Sequence, residues 1–184
     1  MKTLLLLPLL ALVQDPAVDL KVGDPAPSFE VKDDAGATWK SEDFVGKKIV
    51  VLYFYPASFT KGCTDQALAY QKDAEKLAGK NAVAIGISGD HVPTQEAFKK
   101  FHKLGFALLA DEKGEVAKRF GVPVAKGGKV KATIDQLPVE FERDVTLGRW
   151  TFVIGLDGKI AYKNPKADPR RDTQAVLDVI ASLK

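Results

Sequence analysis

The chain carries one cysteine, Cys63, in the run Tyr55-Pro56-Ala57-Ser58-Phe59-Thr60-Lys61-Gly62-Cys63-Thr64. A β-branched and aromatic run precedes it and a helical pattern follows, which puts the thiol at a strand-to-helix junction. At such a junction solvent reaches the side chain, and backbone N–H groups left free at the helix start face the sulfur. Those groups, with a nearby cation, favour the thiolate, which is the nucleophilic form. Most lone cysteines are small buried hydrophobes. Here Gly62, Thr60 and the pair Thr64-Asp65 make the surroundings a polar turn instead. The Thr60 hydroxyl can contact both a thiolate and a bound oxygen, while Pro56 fixes the loop and limits water. With no second cysteine in the chain, any redox cycle must borrow another molecule's thiol.

Other reactive side chains offer less. His91 and His102 have no cysteine partner and no metal-ligand spacing, so they read as surface or locally hydrogen-bonded residues. Glu42-Asp43 and Asp111-Glu112 read as solvated acidic pairs. The glycines between Gly121 and Gly128 form no phosphate-binding signature. No cofactor and no metal is expected. A net charge of +3, from 27 basic and 24 acidic residues, is too weak a bias to indicate nucleic acid. The lysines and glycines of Lys126 to Lys131 read as a solvated loop.

The elements that must position Cys63 follow from the pattern of apolar residues. Of the 184 residues, 46% are hydrophobic, enough for one domain with its own core. Residues 1–19 read as a secretory signal peptide and short linker, since Lys2 precedes a run of leucines that is too short to span a bilayer. Export to a periplasm or the exterior is the expectation, with the cytoplasm as the location if that reading fails. Residues 20–184 form the domain.

Ile49 to Tyr55 reads as a central strand covered on both faces, stopped by Pro56. The next helix, beginning at Thr64-Asp65, turns Ala67, Tyr70 or Gln71, Ala74 and Leu77 to one side. Asn81 to Ser88 is a second buried strand. Pro93 opens a helix whose Phe98, Phe101 and Leu104 face inward and which Gly105 ends. Phe106 to Leu109 is a third strand, and Glu115 to Phe120 a short helix. Two strands flanking Asp157-Gly158 form a hairpin, and Asp168-Pro169 starts the last helix. Residues 122–147 are inserted material in which Lys131–Ile134 and Val139–Glu142 pair around a turn at Leu137-Pro138. The order β-α-β-α-β then β-β-α implies an α/β fold with one mixed sheet flanked by helices.

Pro56, Thr60 and Cys63 match the Pro-x-x-x-Thr-x-x-Cys motif of peroxiredoxins, and the sequence resembles the bacterioferritin-comigratory-protein/PrxQ branch of the AhpC/TSA superfamily. The segments KVGDPAPSF from Lys21, Phe106 to Asp111 and Gly148 to Ile154 also resemble blocks of that family. The resemblance implies a thioredoxin-like fold with an N-terminal elaboration. It implies that Cys63 is the peroxidatic nucleophile, that Thr60 orients the peroxide, that Pro56 shields the pocket and that Arg149 stabilises negative charge, helped by the N–H groups of Gly62 and Cys63. The implied substrate is hydrogen peroxide or a small organic hydroperoxide. The implied partner is an external thiol such as thioredoxin, glutaredoxin or glutathione. A monomer fits the branch, with a Cys63-linked dimer as a by-product. The chain departs from the branch at two positions: Leu68 stands where a resolving cysteine often lies, and Gln66 where a glutamate is common.

Two rival readings make different predictions. A non-enzymatic thioredoxin-fold module would use Cys63 only to form mixed disulfides, and a structural domain with an inert thiol would bury it.

Overall fold

The computed structural model describes residues 18–183, so the expected signal segment, apart from its last two residues, lies outside the described residues. Two short strands, β1 (Glu30–Asp33) and β2 (Thr38–Lys40), lead to β3 (Ile49–Phe54), followed by α1 (Lys61–Lys72) and α2 (Ala74–Ala78). Then come β4 (Ala82–Ser88), α3 (Val92–His102), β5 (Leu108–Ala110) and α4 (Glu115–Arg119). The chain continues through β6 (Val124–Ile134), β7 (Leu137–Leu147), β8 (Trp150–Ile154) and β9 (Ile160–Asn164) to α5 (Asp172–Ser182).

Seven strands form one mixed sheet in the order β2-β1-β5-β4-β3-β8-β9. Strand β3 runs parallel to β4 and antiparallel to β8, and all its residues are buried. Its period-2 alternation divides the core. Ile49, Val51, Tyr53 and Tyr55 pack with Ala67, Tyr70, Phe98, Val176 and Ile180 from α1, α3 and α5. Val50, Leu52 and Phe54 pack on the other face with Phe29, Trp39, Val116 and Phe120. This is the expected thioredoxin-like α/β fold with helices on both faces and extra N-terminal strands.

Local boundaries differ from the sequence pattern in instructive ways. Helix α1 starts at Lys61 instead of Thr64, because Thr60 is extended (φ −79°, ψ 147°) and already serves as its N-cap. Helix α3 stops at His102, where Lys103 takes the left-handed conformation (φ 52°) that Gly105 was expected to supply. Phe101 is 45% exposed, so it does not join Phe98 and Leu104 in the core. Asp168-Pro169 precedes α5 as a turn: the Asp168 carbonyl accepts from the N–H groups of Arg171 and Asp172, and the helix proper begins at Asp172. The Asp157-Gly158 turn does join β8 to β9, with Gly158 at φ 76°.

Residues 124–147 form a long two-stranded ribbon, β6 against β7, paired from Val124↔Leu147 to Ile134↔Leu137. Lys126 to Lys131 is therefore strand, not loop. The turn falls at Asp135-Gln136, both with positive φ (49° and 67°), not at Leu137-Pro138. Two left-handed residues match the twist of a two-residue hairpin turn, and proline cannot adopt that φ. The base of the ribbon lies against the end of β4: a Cβ on Gly89 would collide with the Val145 carbonyl oxygen. Asp90 and Arg143 form an isolated bridge beside it.

Candidate active site

Residues 63, 67 and 70 lie on one face of α1 by helical spacing, and all three are buried, as is Gln66. The early start of α1 thus turns Cys63 inward, and the residue is 1% exposed. The expected solvent-reachable thiol is not what the structure shows. Cys63 meets a cation instead: Arg149 Nη2 donates to Sγ at 3.2 Å. Arg149 sits between β7 and β8, and its Nη1 donates to Gln66 Oε1. Gln66 Nε2 in turn donates to Asp172 Oδ2 at 2.8 Å. A Cβ at Gly62 would lie 3.5 Å from Arg149 Nη2, so the small residue at position 62 leaves the guanidinium close to the helix start.

Thr60 caps α1 without a side-chain bond to its N–H groups. Its hydroxyl donates to the Ala57 carbonyl at 2.9 Å, which tightens the loop and leaves the oxygen's lone pairs as acceptors. Among the described residues, the Gly62 and Cys63 N–H groups have no protein acceptor, as expected of the first turn of a helix. They are the donors that the sequence reading assigned to an anion-stabilising surface. Pro56 is half-buried just past β3. Cys63, Arg149 and the first turn of α1 converge directly. Thr60 joins them through the loop, and Pro56 marks its beginning.

That loop is held by groups that the sequence pattern did not single out. Asp90 Oδ2 accepts from the Ser58 N–H at 2.7 Å and the Ser88 hydroxyl at 2.8 Å. Tyr55 donates its hydroxyl to Gln95 Oε1, while Gln95 Nε2 reaches Ser88 Oγ at 2.9 Å and the Leu109 carbonyl at 3.0 Å. Burial pushes the Tyr55 hydroxyl far above its ordinary value, which keeps it a donor. Phe59 occupies a left-handed conformation (φ 62°), unusual for a bulky residue. Its ring stacks on Phe141 of β7 (4.9 Å, 1°) and meets Phe98 edge-on at 5.1 Å. The ribbon therefore clamps the loop that leads into Cys63.

Asp172 is 1% exposed, and its Oδ2 accepts from Gln66, from Tyr70 Oη at 2.7 Å and from Thr151 Oγ1 at 2.8 Å. Burial raises its carboxyl above the ordinary carboxylate value, against the pull of those three donors. The histidines stand apart from this cluster. His91 Nδ1 lies 3.4 Å from Glu112, and His102 packs edge-on to Phe98, where burial lowers its basicity. A hollow of about 630 Å³, lined by Val22, Ile49, Leu156, Ile160 and Leu183 among others, lies where β3 begins, at the other end of the strand from Cys63.

Gln66 entered the sequence reading only as a departure from the branch, with no partner assigned, and Asp172 did not enter it as a site residue. Gln66 shares a helix face with Cys63, so its spacing marks it as a neighbour. Asp172 lies 106 positions beyond Gln66, and no local pattern connects them.

The arrangement has counterparts in known proteins. The AhpC/TSA family profile matches residues 22–163. "Peroxiredoxin Q, chloroplastic" of Triticum aestivum is 38% identical over 162 residues, spanning 88% of this chain and 67% of the relative. "Peroxiredoxin Bcp" of Bacillus subtilis is 36% identical over 164 residues, spanning 89% of this chain and 97% of the relative. The crystal structure of peroxidoxin BcpB from Mycobacterium tuberculosis superposes with a TM-score of 0.76 at 28% identity, covering 90% of this chain and 99% of that one. The match over most of the domain and the shared fold, with Cys63 in the first turn of α1, lead to one conclusion: the chain belongs to the AhpC/TSA family, in its PrxQ/Bcp-like peroxiredoxin branch, with a single cysteine.

Proposed function

We propose that the protein is a thiol-dependent peroxidase that reduces hydrogen peroxide or small organic hydroperoxides through Cys63 alone. The observation that carries this reading is the Arg149 guanidinium 3.2 Å from Cys63 Sγ, beside a helix start with free N–H groups. A structural thiol has no need of a cation.

In the oxidation step the Cys63 thiolate attacks one peroxide oxygen and the O–O bond breaks. Water or an alcohol leaves after taking a proton, and Cys63 becomes a sulfenic acid. Negative charge moves from sulfur to the departing oxygen. The planar Arg149 fork and the Gly62 and Cys63 N–H groups are placed to follow it. The Thr60 oxygen accepts from the peroxide O–H and orients the bond. In the reduction step an external thiol condenses with the sulfenic acid and releases water. A second thiol then frees Cys63 from the mixed disulfide. Leu68 is 43% exposed on the outer side of α1 and carries no sulfur, so the cycle takes both reducing thiols from outside.

Stopped-flow mixing of reduced protein with stoichiometric hydrogen peroxide, followed by intact-mass analysis, tests the proposal. A rapid gain of one oxygen on Cys63, reversed by added thiol, is expected. Reaction no faster than that of a free small thiol would leave a domain with an inert buried cysteine, the reading favoured by burial taken alone.

A further inference from the structure

Arg149 is held from two sides, and sulfur is only one of them. On the other side, Nη1 donates to Gln66 Oε1. Gln66 is fully buried, so its amide needs partners at both ends. A primary amide fits its cavity in two orientations that exchange oxygen and nitrogen. With the oxygen toward Arg149, the amide accepts from the guanidinium. Turned over, it would set N–H against N–H.

Asp172 distinguishes the two orientations. Asp172 Oδ2 already accepts from two hydroxyls, those of Tyr70 and Thr151, and lies 2.8 Å from Gln66 Nε2, so it faces the amide as an acceptor. The reversed amide would place its oxygen against that carboxylate, so the observed orientation is selected. The same Oδ2 accepts from Thr151 Oγ1 at 2.8 Å, and Thr151 opens the buried part of the strand that follows Arg149. It also accepts from Tyr70 Oη at 2.7 Å, one helical turn beyond Gln66 on α1. One oxygen thus joins α1, α5 and the strand behind Arg149. Asp172 Oδ1 is buried and has no partner among the described residues.

We propose that Asp172 is a positioning residue for Arg149: by fixing the orientation of the Gln66 amide, it aims the guanidinium at Cys63 Sγ. The assignment rests on the peroxidase reading, in which that aim sets the rate of oxidation. It adds to the site a group that touches neither sulfur nor peroxide.

Asp172→Ala, Gln66→Leu and the double variant are compared for the second-order rate of Cys63 oxidation by hydrogen peroxide and for Tm. Asp111→Ala is the control for losing a buried carboxylate elsewhere, since the Asp111 carboxylate accepts from the backbone N–H groups of Val116 and Ala117 in α4, away from Arg149. Each single variant at the site is expected to slow oxidation on the order of tenfold to a hundredfold, the scale of a small misplacement. The double variant is expected to be no slower than the slower single, because both act through one guanidinium. Asp111→Ala is expected to lower Tm and keep the wild-type rate. Multiplied losses in the double variant, or a wild-type rate in Asp172→Ala, would overturn the proposal.

Asp172→Leu covers the case in which alanine does not fold. It fills the same space and offers no acceptor, so nothing from α5 fixes the orientation of the Gln66 amide. Nitrogen-15 NMR of the Arg149 Nη–H groups reads this without peroxide. Distinct, slowly exchanging signals in the wild type are expected to merge or broaden in Asp172→Leu, and unchanged signals would overturn the proposal. If the NMR change appears while the wild-type protein fails to react with peroxide, the peroxidase reading falls and the positioning role stands.

Discussion

Replacing Arg149 separates the two jobs of its side chain. Arg149→Met keeps an unbranched stem and removes both the donor to Cys63 Sγ and the donor to Gln66 Oε1. Loss of one preorganised donor to a developing negative charge costs about 2.7–4 kcal/mol, or roughly 10²–10³ in rate. Arg149→Lys restores a positive charge but brings one ammonium to two acceptors that the guanidinium serves with separate nitrogens, Nη2 for Cys63 Sγ and Nη1 for Gln66 Oε1. It recovers part of the loss, and a deficit of about tenfold remains, equivalent to about 1.4 kcal/mol. The other job is structural. Both replacements disturb the acceptor arrangement around buried Gln66, and an unpaired buried amide oxygen costs about 1–3 kcal/mol. For a chain of this size that corresponds to a Tm drop on the order of 2–12 °C. The assay is stopped-flow oxidation at several peroxide concentrations, read by the fluorescence of neighbouring Trp150, with a melt on the same sample. The order wild type, then lysine, then methionine is expected for rate. Equal rates in all three, with Tm lowered, would show that Arg149 only supports the fold and would refute the chemistry assigned to it.

Three further outcomes are expected. Cys63→Ser should gain no oxygen in mass spectrometry and consume no peroxide, and retained turnover would place the nucleophile elsewhere. Phe141→Ala removes a stacked ring from Phe59, worth about 0.5–1.5 kcal/mol beyond burial, and should lower Tm and speed proteolysis within the Pro56–Thr60 loop; an unchanged cleavage rate would mean that the ribbon does not restrain the loop. Burial raises the Asp172 carboxyl in the folded protein, so the native state holds that proton more tightly than the unfolded chain does. The associated stability is fully present below the unfolded value of about 3.9 and is lost as pH rises through the raised folded value. The Tm difference, wild type minus Asp172→Asn, should therefore shrink as pH climbs from 3 through 6, and a difference that grows over that range would contradict the burial effect.

The sequence made the framework legible wherever signals were local. The apolar run Ile49 to Tyr55 identified the central strand, and its place before Pro56 and Cys63 located the reactive turn. The direction of Cys63 was harder to read. It depends on whether the helix starts at Lys61 or Thr64, and a shift of three residues changes which positions face the core. The ribbon turn was misplaced because Leu137-Pro138 carries a strong turn residue, whereas Asp135-Gln136 shows its left-handed geometry only once the strands pair. Arg149 was identified through resemblance, but its second partner was not, since Gln66 and Asp172 meet only when α5 docks on α1. Nor does any local pattern show that Phe141 would stack on Phe59 across the insertion.

The burial of Cys63 gives the two halves of the proposed cycle unequal access. A peroxide needs a passage only two oxygens wide. A reducing thiol must bring its sulfur into line behind the S–O bond with its own carbon chain attached, and the resulting mixed disulfide needs space that the packed helix does not provide. On the proposed cycle, reduction would therefore wait for the first turn of α1 to fray, an event with its own local free energy. The sulfenic acid would be a stored state whose lifetime depends on how firmly Lys61 to Thr64 stays wound. On that reading the chain would act as a timer, charged by a small oxidant and reset at a pace fixed by a single helical turn.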